Sequence, residues 1–278
     1  MKLLNKILLL MFLVIAVAMA QDKEKKEPVY GWQKSIVGNL NFTQNNFDNW
    51  AQGGEDSWSW QIDINGKYIN DQPKYKWANS GKVSFGQTKV GDIESRKAAD
   101  EIKLESVYTY KLGVYVNPYV AVTGQTQFVK GYIYTDDTKA EISNFLDPGY
   151  FTQSAGLGYE PNKNVKTRLG AALKETITDK YADIYGNGEK SRVEFGAESV
   201  TDVNLKLSET ILYTSKLELF SSLNAINEVD VNWDNLFSAK VSKYIGVSFN
   251  VKLFYDRDVT SKRQLKQTLA AGLSYTFL

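Results

Sequence analysis

Histidine and cysteine are both missing from the 278 residues, and proline occurs only 5 times. Without cysteine there is no disulfide, no lipid-bearing cysteine behind a leader and no thiolate for metal or nucleophilic chemistry. Without histidine the usual base of acyl-transferring and proteolytic sites is gone, together with the commonest nitrogen ligand for transition metals. Carboxylates remain, and they suit hard cations only. These absences predict a protein that is not an enzyme and holds no cofactor. Neither sign of charge dominates, with 33 Lys and Arg against 32 Asp and Glu, so no basic footprint for nucleic acid is present. Beyond residue 20 no apolar run approaches the ~18 residues of a transmembrane helix.

What is present begins with an export pattern. Lys2 and Lys6 precede the apolar run Ile7–Val17, and Ala18-Met19-Ala20 puts small residues where signal peptidase needs them before Gln21. Residues 1–20 are therefore expected to be a cleaved signal peptide. Residues 21–33 start as Gln-Asp-Lys-Glu-Lys-Lys-Glu, charged and aperiodic, and are expected to be a flexible periplasmic lead-in. The remainder, 34–278, carries most of the 17 Tyr, 13 Phe and 6 Trp, a composition that fits long strands with aromatic belts.

Most of that remainder alternates. Trp58, Trp60, Ile62, Ile64, Gly66 and Tyr68 share one parity, and Ser57, Ser59, Gln61, Asp63, Asn65 and Lys67 share the other. A period of two sorted this way is a strand with one apolar and one polar face. The same sorting predicts about twelve strands, over 34–43, 57–69, 75–88, 99–112, 115–132, 151–160, 164–177, 190–207, 212–223, 231–243, 246–257 and 265–277. Long connections alternate with short ones throughout. That rhythm predicts a transmembrane antiparallel up-and-down β-barrel in an outer membrane, with both termini periplasmic and the longer loops outside.

The aromatic spacing agrees. Trp58 and Tyr68 lie ten residues apart on the apolar parity. At about 3.3 Å per residue and a tilt near 40° this is roughly 25 Å of height, the thickness of an outer-membrane apolar band. Trp58, Trp60, Tyr68, Tyr75, Trp77, Tyr275 and Phe277 are expected at the membrane borders, in contact with lipid and lipopolysaccharide. The polar parity mixes Asp63, Lys67, Lys103, Glu105, Glu194, Glu198, Lys206, Glu218, Lys240 and Lys252. In a narrow barrel such side chains reach across as ion pairs, so a filled lumen is expected rather than a charge-selective pore.

Acidic groups occur at Asp92, Glu94, Asp100 and Glu101, at Asp179, Asp183 and Glu189, and at Asp256 and Asp258. Cation binding competes here with a plainer reading, solvated loops, which is favoured. Two segments stand apart from generic barrel sequence. Asn49-Trp50-Ala51-Gln52-Gly53-Gly54 has paired glycines that permit a tight backbone. Ile142-Ser143-Asn144-Phe145-Leu146-Asp147-Pro148-Gly149-Tyr150-Phe151 is too apolar for a free loop. Asn49, Trp50, Gly53, Gly54, Ser143, Asn144, Phe145, Pro148 and Tyr150 are the candidate partner or plug surface. The alternative is that the two segments pack on each other as a cap.

Gly38-Asn39-Leu40-Asn41-Phe42-Thr43-Gln44, Asn49-Trp50…Gly53-Gly54, Thr126-Gln127-Phe128…Gly131-Tyr132, Ile142-Ser143-Asn144-Phe145 and Tyr255-Asp256 together resemble an uncharacterised outer-membrane family of Bacteroidetes. The resemblance implies an outer-membrane barrel and no assigned activity. The chain ends Tyr275-Thr276-Phe277-Leu278, which adds a leucine after the terminal aromatic that barrel assembly commonly reads. The expected role is a structural or accessory subunit of an outer-membrane assembly, with another outer-membrane complex as partner. The alternative is a narrow solute channel gated by residues 133–150.

Overall fold

The alternation around Trp58–Tyr68 is the local unit of a sheet that closes on itself. The structure, a computed structural model, describes residues 29–48, 54–113, 115–135, 138–226, 228–257, 259–260 and 262–277. The first half contains β1 (Gly31–Asn45), β2 (Ser57–Asp71), β3 (Tyr75–Val90), β4 (Arg96–Tyr110) and β5 (Val116–Thr126). A small hairpin follows, β6 (Gly131–Thr135) and β7 (Thr138–Ser143). The barrel resumes with β8 (Gly149–Tyr159) and β9 (Val165–Ile177), then the single helical turn α1 (Ala182–Tyr185). It ends with β10 (Ser191–Lys206), β11 (Ile211–Ser222), β12 (Val229–Lys240), β13 (Ile245–Tyr255) and β14 (Gln264–Thr276).

Twelve of these strands form a closed barrel, each antiparallel to its neighbours, with β6 and β7 as a separate two-stranded sheet. Closure is made by β1 on β14, from Val37 opposite Thr276 to Asn41 opposite Gly272. The up-and-down barrel is as the sequence predicts, and long and short connections alternate except that β3–β4 (91–95) and β4–β5 (111–115) are of equal length. No helix among the described residues is long and apolar enough to cross a membrane, which says nothing of strands.

Strand ends shift by one to three residues at most places, and three differences bear on the site. β1 starts at Gly31, so residues 31–33 pair with β2 instead of belonging to the lead-in. The strand expected over 115–132 stops at Thr126. There the Asp100 carboxylate accepts the amide protons of Phe128 at 2.7 Å and Val129 at 3.1 Å, which removes them from the ladder. The loop expected over 133–150 is mostly the β6–β7 hairpin, and Gly149 and Tyr150 already belong to β8.

Opposite residues of neighbouring strands share a face. Trp60 faces Gln87 on β3 and Phe42 on β1, and this parity points outward. Its members on other strands are strongly exposed, as at Leu269 (75%), Leu169 (64%) and Phe195 (62%). On β9 to β12 the same outward parity carries a closely packed patch of Val165, Val203, Leu205, Tyr213, Leu217, Val231 and Trp233. The inward parity is polar and tightly filled. At Gly170 a Cβ would stand 2.4 Å from the Ala155 carbonyl and 2.7 Å from the Tyr119 hydroxyl. Glycine there lets the buried Tyr119 ring lie against the wall.

Candidate functional site: an ion-paired lumen under a tied rim

The inward parity places charges from opposite walls within reach of one another. Lys103 on β4 donates to Glu218 on β11 at 2.6 Å. Glu105, two residues on, accepts from Lys216 at 2.5 Å and from Arg168 of β9 at 2.6 Å. Glu101 takes Lys252 of β13 at 2.8 Å and Lys82 of β3 at 2.9 Å, and Lys82 also contacts Asp234 of β12 at 3.3 Å. Lys174 bridges Asp230 at 2.7 Å and Asp256 at 3.3 Å. Asn232 and Ser154 add hydrogen bonds to Glu218 and Glu198 at 2.7 and 2.6 Å. The pairs of β4 with β9, β11 and β13 and of β3 with β12 cross the barrel, so these charges brace its walls from within.

The rim with the longer loops is tied by a second, separate set of contacts. Asp147 accepts from the Thr178 hydroxyl at 2.5 Å and from the amides of Asp179 and Lys180 at 2.9 and 3.0 Å. Burial pushes its carboxyl up, but these donors outweigh burial and hold it below the usual aspartate value. Glu141 on β7 accepts from the Tyr181 hydroxyl, from Lys130 at 3.0 Å and from Lys180 at 3.2 Å. The Tyr181 bond, then the Lys130 bond, lower its pKa from 4.5 to about 2. Arg96 lies over the Tyr134 ring at 4.1 Å and Lys139 over Tyr132 at 4.2 Å, while Lys139 also pairs with Glu94. The hairpin is thus fastened to the β3–β4 and β9–β10 connections.

Several candidate residues fall in this rim. Ser143 is buried, and Asn144 and Asp147 exchange backbone bonds at 2.8 and 3.0 Å. Gln127 donates to the Asn144 carbonyl at 2.9 Å, and Thr126 to the Pro148 carbonyl at 3.2 Å. Phe145 faces outward from the tie and is 53% exposed. Tyr150 points inward and lines a cavity of about 400 Å³ with Gln125, Tyr185, Phe254, Gln264 and Lys266. A second cavity of about 300 Å³ lies between Glu189, Arg192, Glu194, Asp230 and Arg257. Asn49, Trp50 and Gly53 lie outside the described residues. Gly54 is described and sits against Phe47, with φ +143°. Mutual packing of the two segments is therefore traced only on the 142–151 side.

Among the described residues no three carboxylates are grouped to hold a metal ion. Glu94, Asp100, Glu101 and Asp179 each face a lysine instead.

The seven expected border aromatics all share the outward parity. Near the short-turn rim Trp32 lies tilted against Tyr68 at 4.4 Å and nears Trp77 at 6.1 Å, with Tyr75 stacked on Tyr108 at 5.6 Å. Tyr275 packs edge-on to Phe277 at 4.9 Å. Toward the other rim Trp60 meets Phe85 at 5.7 Å. Polar groups on this face satisfy each other. The Trp77 indole donates to Ser106 at 2.9 Å, and Ser106 donates to its cross-strand partner Asn79 at 2.8 Å. On β11–β12 the arrangement repeats: Trp233 donates to Ser215 at 2.9 Å, and Asn235, opposite Ser215, lies 3.0 Å away.

Sequence reasoning missed the β6–β7 hairpin and the hub at Glu141. A signal was there: Tyr132-Ile133-Tyr134 and Lys139-Ala140-Glu141 flank Asp136-Asp137, the pattern of a short hairpin.

A family model described as "Protein of unknown function (DUF3078)" matches residues 42–132. That stretch includes the Asn49-Trp50 and Thr126–Tyr132 boxes; the Ile142–Phe145 and Tyr255-Asp256 boxes lie beyond it. No curated protein matches the chain. Among solved structures, the translocator domain of autotransporter NalP from Neisseria meningitidis is similar at TM-score 0.38 and 9% identity, covering 99% of this chain and 97% of that one. The NanC porin is similar at TM-score 0.40 and 8% identity, covering 86% and 98%. The COG4313 outer membrane channel from Pseudomonas putida F1 is similar at TM-score 0.40 and 11% identity, covering 92% and 97%.

Proposed function

We propose that this chain is a non-enzymatic outer-membrane barrel with a closed lumen, a structural or accessory subunit of a larger outer-membrane assembly. The observation that carries the reading is the set of ion pairs linking β4 to β9, β11 and β13 at 2.5–2.8 Å. Charges that neutralise each other across the lumen leave no ring of one sign to select ions. The exposed apolar parity supports a lipid-facing exterior, since a continuous apolar girdle of this size is costly in water. In this orientation the short turns are periplasmic and the tied long loops extracellular, where they meet lipopolysaccharide and a partner complex. The sequence boxes support a family of Bacteroidetes outer-membrane proteins.

Planar-bilayer recording tests the closed lumen. Purified protein is expected to give no stable single-channel steps. Steps that grow when the β6–β7 hairpin, residues 131–143, is deleted would overturn the reading in favour of a channel gated by the 133–150 connection. Mild-detergent purification from native membranes tests the assembly role: a second protein is expected in stoichiometric amount, and a solitary barrel counts against it.

A further inference from the structure

We propose that the 400 Å³ cavity at the mouth is a binding site for one acidic sugar residue, held between two facing walls of like construction. On one wall Gln125 of β5 is the register partner of Tyr150 on β8. On the other, Gln264 of β14 is the register partner of Phe254 on β13. Each wall therefore offers one amide and one aromatic ring to the same cavity, and Tyr185 from α1 adds a third ring. The volume lies within the range of about 300–1,000 Å³ of small-molecule sites, which combine apolar faces with a few polar groups.

The polar groups are available. The side chains of Gln125, Gln264, Tyr150 and Tyr185 make no hydrogen bond among the described residues, although Gln127 beside them is engaged in the rim. Amides and phenols both donate and accept. That suits a ligand whose groups do the same, which is the character of sugar hydroxyls, while aromatic rings suit the C–H faces of a pyranose.

Charge narrows the class. Lys252 and Lys266 are directly opposite each other on the inward face. Lys252 is neutralised by Glu101 at 2.8 Å, and Asp100 is already held by Lys97 at 3.0 Å. Lys266 makes no ion pair among the described residues; its ammonium donates to the Ala98 carbonyl at 2.9 Å. Among the lining residues one positive charge is thus left over, with Asp63 of β2 within electrostatic reach but outside the lining, and a carboxylate on the ligand supplies a counter-charge in direct contact. A hexuronate, free or at the end of a glycan, has the ring, the hydroxyls and the single negative charge. The site shares Lys252 with the ion-paired belt but does not depend on whether the lumen conducts.

Saturation-transfer NMR on the full chain in detergent micelles, with glucuronate, glucose and a glucuronate-terminated trisaccharide as probes, tests the assignment. Glucuronate is expected to bind more tightly than glucose by about tenfold, the worth of one charge-assisted hydrogen bond. Lys266→Met is expected to erase that preference and leave weak glucose binding, while Gln264→Ala weakens both sugars. Tyr150→Phe tests the phenol without opening the wall, and heat-modifiable gel migration checks that each variant is a folded barrel. Absence of saturation transfer from glucuronate overturns the site. So does equal affinity for glucose, or glucuronate binding unchanged in a folded Lys266→Met. A trisaccharide that binds as well as glucuronate assigns the site to glycan ends; failure of the trisaccharide alone assigns it to the free sugar.

Discussion

The two faces of this barrel solve the same problem, how to keep polar groups satisfied where water is scarce, by opposite means. On the outer face the solution is local. Trp77, Asn79 and Ser106 belong to adjacent strands, and so do Trp233, Asn235 and Ser215; in each set tryptophan and asparagine stand two residues apart with serine across the ladder. In the lumen the solution is distant. Lys103 meets Glu218 and Lys216 meets Glu105, side chains more than 100 positions apart in the chain. Local triads ask only for correct strand pairing. Cross-lumen pairs ask for the whole barrel to have closed at the right diameter, and each unmade pair leaves an ion without its partner.

That difference predicts unequal costs, and the largest falls on Glu105. Glu105→Ala removes the nearest carboxylate of both Arg168 and Lys216, each mostly buried, and leaves only acids 3.8–3.9 Å away. The loss is expected to be about 3 kcal/mol or more, read as a lowered urea midpoint in vesicle-refolded protein. The double variant Glu105→Leu with Lys216→Met is expected to recover part of it. A Glu105→Ala barrel as stable as the parent would remove the basis for a braced lumen.

Gly170→Ala probes the same wall by shape instead of charge. Its new Cβ meets the Ala155 carbonyl and the Tyr119 hydroxyl, and neither can yield without moving the ladder or the ring. A loss of about 1–3 kcal/mol is expected, the usual range for overpacking. Tyr119→Phe in the Gly170→Ala background separates the two clashes: recovery assigns the cost to the hydroxyl, and none assigns it to the backbone.

Trp77→Phe gives the local counterpart. It keeps an aromatic on the outward face and deletes the indole donor, leaving Ser106 still bonded to Asn79. About 1 kcal/mol is expected, measured by the same refolding. A cost equal to that of Glu105→Ala would collapse the distinction between local and distant satisfaction.

The same distinction governs what the sequence discloses. Parity is a local property, so Trp58 to Tyr68, Leu269 to Phe277 and the inward charges at Lys103, Glu105 and Glu218 are legible from alternation alone. Their partners are not, because which lysine meets which glutamate depends on strand order and diameter, and nothing local encodes either. The end of β5 was misread for a related reason. Gln127 to Lys130 have strand-like residues, but Asp100, from a different connection, takes the amides of Phe128 and Val129. The mouth cavity is hidden in the same way. Gln125 and Tyr150 are neighbours only because the β6–β7 hairpin is looped out of the barrel between them.

The tied rim is intermediate between the two faces, local in space but assembled from three connections, and its weakness is specific to acid. Glu141 has a folded pKa of about 2 against an ordinary 4.5, so its contribution is complete above about pH 4.5 and is lost as pH falls through about 2. Asp147 is shifted in the same direction. Lys130 and Lys180 are raised by hydrogen bonding in the rim, so their part is present below 10.5 and is lost only above it. Amide exchange in 131–143 and 178–190 is therefore expected to show unchanged protection from pH 9 to about pH 5 and a fall toward pH 3, while β-ladder amides stay protected. Tyr181→Phe removes the leading donor to Glu141 and is expected to move the fall upward in pH. Loss of protection in the ladder at the same pH would mean that rim and barrel form one cooperative unit, with the acid response belonging to the lumen pairs instead.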